Sequence, residues 1–131
     1  MQRSLSVLLP VKDAQATLSA SVHDILDVVA DSIERFELLI IDDGSTDATC
    51  EVAHDLTRDY PQVRVVSHGT PMGRQAALET GLKRSQGEVV VMREGQQGFR
   101  ILRHRAAADH SARRPTRPNY LDRLRGLVGS D

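Results

Sequence analysis

The chain has few of the residues that stabilise small secreted proteins. Among its 131 residues there is no tryptophan, only 3% are aromatic, and one is a cysteine. The core must therefore be built from Val, Leu, Ile and Ala, and no disulfide can form within the chain. We expect a reducing compartment. Cys50 has no recognisable histidine partner, which favours a packed or idle thiol over a nucleophile.

Long hydrophobic runs are also missing. No segment approaches the roughly 18 apolar residues of a membrane span. The first apolar run ends at Lys12 and Asp13, too early for a signal peptide. These observations predict a cytoplasmic protein.

The chain lacks a basic surplus, since its net charge is -1. This argues against nucleic acid as a partner, because phosphate contacts need a basic surface. The charge is unevenly spread, however: residues 99–131 hold eight arginines and three aspartates, a balance of +5, which leaves -6 for residues 1–98. We predict an α/β domain at 1–98 and a basic C-terminal arm at 99–131, with a short amphipathic helix in the sequence "NYLDRLRGLV".

Short, β-branched apolar segments recur along the chain. They predict strands at residues 6–11, 37–41, 63–66 and 88–92, each covered on both faces. Between the first two, apolar residues at steps of three and four from Leu18 to Ile33 predict a helix, and weaker stripes follow in the next two gaps. Such alternation predicts an open, mostly parallel, Rossmann-like α/β sheet with helices on both faces. A ligand crevice is expected beyond the carboxyl ends of its strands.

Acidic residues follow the second predicted strand. Asp42 and Asp43 are followed by Gly44, which turns the chain, and Ser45, which is placed to cap the next helix. A turn with an N-cap explains this cluster as well as a ligand site does. Because adjacent side chains leave a strand in opposite directions, only one of the two aspartates can face the crevice.

The first predicted strand ends in a similar way, with Pro10 followed by Lys12 and Asp13. With Asp43, these residues describe a pocket rimmed by carbonyls, one lysine and carboxylates. Such a rim suits the N–H donors of a base or the hydroxyls of a ribose. A phosphate would need a cation between itself and the carboxylates.

The segments "SVLLPVKD", "ELLIIDDGSTD" and "GRQAALETGLKRSQGEVVVM" carry a family resemblance. In order and spacing they resemble the nucleotide-sugar half of inverting family-two glycosyltransferases with the GT-A fold. The third segment is most similar to the branch of dolichol-phosphate mannose synthase and related polyprenyl-phosphate glycosyltransferases. The resemblance covers about residues 5–92 and implies that the chain binds a UDP- or GDP-sugar.

The resemblance also implies site residues. Base and ribose candidates are Pro10, Val11, Asp13, Asp42 and Asp43, with Asp43 the first choice. Arg74 matches a basic residue close to the sugar-phosphate end of the donor. Its place at the start of a predicted helix favours an anion there.

The metal motif departs from the family pattern. Family members have an Asp-x-Asp that binds Mg²⁺ or Mn²⁺ beside the donor diphosphate, whereas this chain has Glu94 and Gln96 at those positions. Gln96 offers only a neutral carbonyl oxygen, which argues against an intact metal site. The neighbouring Arg93 would repel a cation or replace one by neutralising the diphosphate.

Three functions remain open at this point. The first is transfer of a hexosyl unit to an acceptor such as a polyprenyl phosphate or saccharide, although no acceptor half or catalytic base is recognisable. The second is a catalytically inactive nucleotide-binding relic or regulatory module. The third is a receiver-like module in which Asp42 and Asp43 hold Mg²⁺. The basic arm is expected to cover a sheet edge or a second subunit, giving a homo-oligomer, or to make peripheral contact with a membrane.

Overall fold

A single sheet forms the centre of the protein, whose computed structural model describes residues 4–94 and 98–104. The strand order is β3-β2-β1-β4-β5. The first four strands are parallel, and β5 is antiparallel to β4. The strand bounds are β1 Leu5–Val11, β2 Phe36–Asp43, β3 Val63–His68, β4 Val89–Glu94 and β5 Gly98–His104. The predicted open, mostly parallel α/β sheet is thereby confirmed.

Helices cover both faces of this sheet, as predicted. They are α1 (Leu18–Ser32), α2 (Thr49–Asp59) and α3 (Arg74–Arg84). α1 and α2 share one apolar core with the side chains of one sheet face, and α3 shares a smaller core with the opposite face. The predicted stripe supplies the first core: Leu18, Val22, Ile25 and Val29 are all buried in α1. No helix in the described ranges combines the length and apolarity that a bilayer crossing requires.

Gly81 brings α3 close to the sheet. A Cβ at this position would lie 2.8 Å from Cδ1 of Leu8 and 3.0 Å from Cδ1 of Ile41, so both side chains would have to shift. Glycine therefore lets the helix backbone rest directly on β1 and β2. This close packing carries the start of α3 to the carboxyl ends of those strands.

The fifth strand corrects the predicted division of the chain. Residues 99–131 were predicted to form a basic arm, but the sheet continues to His104 through pairing with β4. Phe99 is buried in the core beneath α1, and Leu102 packs against the core beneath α3, so β5 is a strand of the sheet rather than part of an arm. The rest of the arm, with its predicted helix and its predicted subunit or membrane contacts, lies outside the described residues.

Candidate functional site

A cavity of about 320 Å³ lies at the carboxyl ends of β1 and β2, beside the start of α3. Its position agrees with the predicted crevice, and its volume is at the lower end of the range for small-molecule sites. β1 stops pairing with β4 after Leu8 and Met92, so the two strands are no longer bonded to each other at this level. The lining residues are Pro10, Val11, Lys12, Asp43, Pro71, Gly73, Arg74 and Ala77.

Asp43 joins the end of β2 to the start of α3. Its Oδ1 accepts a hydrogen bond of 2.9 Å from the Met72 N–H, and its Oδ2 accepts one of 2.9 Å from the Gly73 N–H. Gly73 has a φ of 101°, a conformation that favours glycine and that directs its N–H at the carboxylate. The acid is thus held at the cavity wall, where the positive end of the α3 dipole favours its charge.

His68 is the third partner of this carboxylate. Its Nδ1 lies 2.7 Å from Oδ1 of Asp43, and its Nε2 lies 2.9 Å from Oγ1 of Thr80 on α3. If the Thr80 hydroxyl donates to Nε2, the Nδ1–H donates to Asp43. His68 therefore connects β2 and α3 through a nearly buried imidazole ring.

The pKa of Asp43 is lowered, first by the hydrogen bond with His68 and next by that from the Met72 N–H. Asp43 is therefore an ionised acceptor. Among the described residues, Gly73 alone donates to Oδ2, and a carboxylate oxygen can accept two such bonds. Oδ2 can accept a further hydrogen bond from a ligand.

Asp42, in contrast, serves the following turn. Its Oδ1 accepts hydrogen bonds from the N–H and the hydroxyl of Ser45. The two aspartates thus point to opposite faces, as expected for neighbours on a strand. The prediction that Ser45 caps the next helix is wrong, because α2 begins only at Thr49, whose N–H donates to Asp47 Oδ1 at 2.9 Å.

Asp13 connects the loop after β1 to the loop after β2. Its Oδ1 accepts a 2.7 Å hydrogen bond from the Thr46 N–H, which lowers the pKa of Asp13, and its own N–H donates to the Ser45 hydroxyl at 2.8 Å. Asp13 also has a φ of 52°, which aspartate tolerates better than most residues. Asp13 and Asp42 therefore shape the rim and do not line the cavity.

Four of the predicted nucleotide-binding residues do line the cavity: Pro10, Val11, Asp43 and Arg74. The Arg74 side chain runs from the first residue of α3 towards β4, where its Nη2 lies 3.7 Å from Sδ of Met92. Lys12 adds a second cation at the β1 end of the cavity, 3.6 Å from the Asp13 carboxylate. The cavity thus has a negative wall at Asp43 and a positive end at Arg74.

The metal centre implied by the resemblance is not matched by the donors in the described residues. Glu94 Oε2 accepts a 2.7 Å hydrogen bond from Arg100 on β5, and Gln96 lies outside the described residues. Within residues 4–94 and 98–104, no three His, Cys, Asp or Glu side chains are grouped to hold a metal ion. The cation already paired with Glu94 is Arg100, whose charge disfavours a divalent ion beside it.

Arg93 does not act on this site. Its guanidinium pairs with Asp24 on α1 and lies 5.0 Å from the centroid of the Phe99 ring. These partners are on the α1 face of the sheet, whereas the cavity is on the α3 face. The hypothesis that Arg93 repels a cation or neutralises a diphosphate is therefore wrong.

His68 and Thr80 belong to the site but were not predicted from the sequence. One signal was present: His68 follows the third strand, and the carboxyl ends of parallel strands meet at one edge of a sheet. In the register, His68 lies directly opposite Asp43. Thr80 gave no such signal, because its role depends on how α3 is rotated on the sheet.

Comparison with known proteins agrees with this architecture. The chain is 30% identical over 112 residues to a cholesterol galactosyltransferase of Borreliella burgdorferi, and the match covers 82% of the chain and 30% of that protein. It is 26% identical over 102 residues to a dolichyl-phosphate beta-glucosyltransferase of Trichomonas vaginalis, covering 74% of the chain and 32% of that protein. The chain thus spans about a third of the length of these relatives.

A solved structure with the same fold is a mannosyltransferase from Pyrobaculum calidifontis in complex with GDP-Man and Mn²⁺. The superposition has a TM-score of 0.62 at 22% identity, and it covers 70% of this chain and 27% of that one. The family model "Glycosyl transferase family 2" matches residues 6–92, which hold β1 to β3, α1 to α3 and the first part of β4. The chain belongs to glycosyl transferase family 2.

Proposed function

We propose that the cavity binds the nucleoside of a UDP- or GDP-sugar, and that this binding serves transfer of a hexosyl unit to an acceptor such as a polyprenyl phosphate or a saccharide. One observation carries the proposal: an ionised, oriented carboxylate and a guanidinium lie at opposite sides of one cavity at the sheet's carboxyl edge. Two of the relatives support it, since one is named for a dolichyl phosphate and the other was solved with GDP-Man. Family membership and the position of the acids after β2 disfavour the receiver-like alternative.

The charges around the cavity give the ligand a direction. Asp43 can only accept hydrogen bonds, so it selects N–H groups of a base or hydroxyls of a ribose. Arg74 can only donate, so it selects phosphate oxygens. Pro10 and Val11 offer an apolar edge against which the flat base can pack. The nucleoside is thus placed beside β1 and β2, and the diphosphate points towards β4.

Asp13 and Asp42 contribute indirectly in this proposal. The resemblance implied that both contact the base or ribose, but their carboxylates accept hydrogen bonds from Thr46 and Ser45. They hold the first two loops together and so fix the rim that the nucleoside enters. Removing either acid is expected to loosen the rim rather than to remove a direct ligand contact.

Binding without transfer is the second candidate. Among the described residues, Asp43 is the only carboxylate that lines the cavity, and its lowered pKa and its hydrogen bonds to the protein make it a weak base. The cavity lining therefore supplies no effective general base to deprotonate an acceptor hydroxyl. Transfer requires such a group from outside this lining, whereas nucleotide binding does not.

Thermal unfolding with added nucleotides tests the proposal. UDP, GDP and their hexose derivatives should each be added with Mn²⁺ and with EDTA. A ligand at a hundred times its dissociation constant should add about 2.7 kcal/mol to the free energy of unfolding. At the same ligand concentration, Asp43→Asn should lower this gain to about 1.4 kcal/mol or less, as a tenfold or greater loss of affinity requires. The matched control Asp27→Asn, on the exposed side of α1, should keep the full gain. If no nucleotide raises the melting temperature, the proposal is wrong.

A second assay separates transfer from binding. The full chain is incubated with a labelled UDP- or GDP-hexose and a polyprenyl phosphate, and the label in the lipid fraction is counted. Labelled lipid supports the transferase. If nucleotides stabilise the chain but neither labelled lipid nor any other glycosylated product forms, the result supports the binding-only candidate.

A further inference from the structure

The end of β4 presents two different surfaces. Val91 lies in the core beneath α1 and Arg93 pairs with α1, so alternation directs Met92 and Glu94 to the α3 face, where the cavity opens. The Arg74 guanidinium reaches Met92, with 3.7 Å between Nη2 and Sδ. Any group that leaves the cavity towards β4 therefore passes Arg74 first.

A second guanidinium lies on the same surface. Arg100 of β5 is paired directly with Met92 of β4. Directly opposite residues of an antiparallel pair share a face of the sheet, with Cβ atoms about 5 Å apart. Arg74, which lines the cavity, and Arg100, which lies outside the lining, therefore approach Met92 from the helix side and from the strand side. Together they give this face of β4 a cationic surface next to the cavity.

Glu94 forms an ion pair with Arg100 and, within the described part of the chain, does not belong to a group of metal ligands. Its Oε2 accepts the 2.7 Å hydrogen bond from Arg100, and the two side chains are 45% and 60% exposed. Ion pairs this exposed contribute little stability and exchange readily. An arriving diphosphate can take Arg100 from Glu94, because it carries more charge and offers a bidentate acceptor.

The start of α3 is a poorer place for the diphosphate. The two N–H groups just before the helix already donate to Asp43. A second anion there would lie next to an ionised carboxylate and would be repelled. Lys12, the other cation in the cavity lining, lies 3.6 Å from the Asp13 carboxylate, which partly neutralises it. Negative charge is therefore favoured at the two guanidinium groups rather than at the helix start.

We propose that Arg74 and Arg100 form a metal-independent subsite for the diphosphate of the nucleotide sugar. This inference rests on the proposed function, because the same cavity must hold the nucleoside. It departs from the divalent-cation site that the family resemblance implied. Arginine suits the role, since its planar fork matches two phosphate oxygens at once.

Calorimetric titration of the full chain in EDTA tests the subsite. The probes are UDP, uridine, GDP and guanosine, and the measured quantity is the ratio of nucleoside to diphosphate dissociation constants. For the preferred base we expect a ratio of about a hundred, lowered about tenfold by Arg74→Gln and about tenfold by Arg100→Gln. Arg58→Gln is the matched control, because Arg58 is an exposed arginine on α2 paired with Asp55, and it should leave the ratio unchanged.

Glu94→Gln distinguishes the two accounts by the sign of its effect. In our account the substitution releases Arg100 from a neutralising partner, so UDP or GDP in EDTA should bind a few times more tightly. If Glu94 instead holds a metal ion, the same substitution should weaken binding, and only in the presence of Mn²⁺. The second result would overturn the inference.

The remaining outcomes separate this inference from the proposed function. Equal affinity for nucleoside and diphosphate in EDTA, or a ratio that Arg100→Gln does not change, would overturn the subsite and leave the nucleoside cavity standing. Absence of binding by all four probes, with and without Mn²⁺, would overturn both.

Discussion

The two faces of the sheet differ in what their side chains do. Beneath α1 and α2, large aliphatic side chains such as Ile25 and Leu38 fill one continuous core. Beneath α3 the contacts are made by Ala77 and Gly81, and the core is smaller. Burial of apolar area stabilises the first face, whereas the short side chains of the second leave room for a cavity at the strand ends. The comparison separates a stabilising face from a ligand-binding face.

Adjacent residues show the same division at single-residue resolution. The Asp42 side chain lies on the α1 face of the sheet and accepts a hydrogen bond from Ser45 in the following loop. The Asp43 side chain lies on the α3 face and lines the cavity. Arg93 pairs with Asp24 on the first face, while Glu94 pairs with Arg100 on the second. Alternation along a strand therefore decides which of two neighbouring charges belongs to the site.

Ile25→Ala should give the largest loss of stability. Ile25 is fully buried beneath α1, and its truncation leaves a cavity, so the free energy of unfolding should fall by about 2–5 kcal/mol. Urea unfolding measures this loss. The affinity of the remaining folded protein for UDP or GDP should not change. A loss of affinity in protein that is still folded would break the division between the faces.

Gly81→Val should affect both properties. The new side chain overlaps Leu8 and Ile41, which should lower the free energy of unfolding by about 1–3 kcal/mol and move α3 away from β1. Because Arg74 and Ala77 move with α3, nucleotide affinity should also fall. Glu79→Val places the same side chain on the exposed side of α3 and should change affinity little. Equal effects of the two substitutions would contradict the role given to close packing.

Asp43→Asn should weaken nucleotide binding about tenfold or more, since a charged acceptor is replaced by a neutral amide. Amide exchange at Met72 and Gly73 should become faster, because these N–H groups donate to the carboxylate. Calorimetry measures the first effect and hydrogen exchange the second. Slow exchange together with retained affinity would show that Asp43 has neither role.

Lowering the pH should remove the contribution of ionised Asp43 to the free energy of unfolding. The pKa of Asp43 is lowered from 3.8 in the folded chain, first by the hydrogen bond with His68. Ionised Asp43 therefore stabilises the fold above pH 3.8, and this stabilisation is lost as the pH falls through the lowered folded-state value. Thermal unfolding from pH 7 downwards should show wild type and Asp43→Asn converging at acid pH. A difference that stays constant would contradict the assignment.

Arg93→Gln should give the smallest change in binding. Arg93 lies on the α1 face, so the affinity for UDP or GDP should stay within about twofold of wild type, although the melting temperature falls. Arg74→Gln, on the cavity face, should weaken the same affinity clearly. If the two arginines prove equally important, the faces are not separate in function.

Much of this division could be predicted from the sequence. Continuous apolar strands and the stripe from Leu18 to Val29 indicated a doubly covered sheet, and the acids after the second strand indicated the crevice. These features are local in sequence, so periodicity reveals them. The pleat of the strand predicted that Asp42 and Asp43 point to opposite faces of the sheet, but not which of them faces the crevice.

The remainder depends on tertiary contacts. β5 was missed because Arg100 and Arg103 suggested an arm, while the pairing that makes it a strand lies in β4. The contact of Arg93 with Asp24 joins residues 69 positions apart, and that of His68 with Asp43 joins residues 25 apart. Periodic patterns in the sequence do not reveal contacts between residues so far apart in the chain. The roles of Arg93 and His68 could therefore be recognised only in the folded structure.

Amide chemical-shift mapping locates the bound nucleotide on the protein. The full chain, labelled with ¹⁵N, is titrated with UDP and with GDP. We expect the largest shifts at Val11, Asp43, Gly73 and Arg74, around the cavity on the α3 face. Shifts concentrated on α1 and α2, or no shifts with either nucleotide, would contradict the proposed location of the nucleotide.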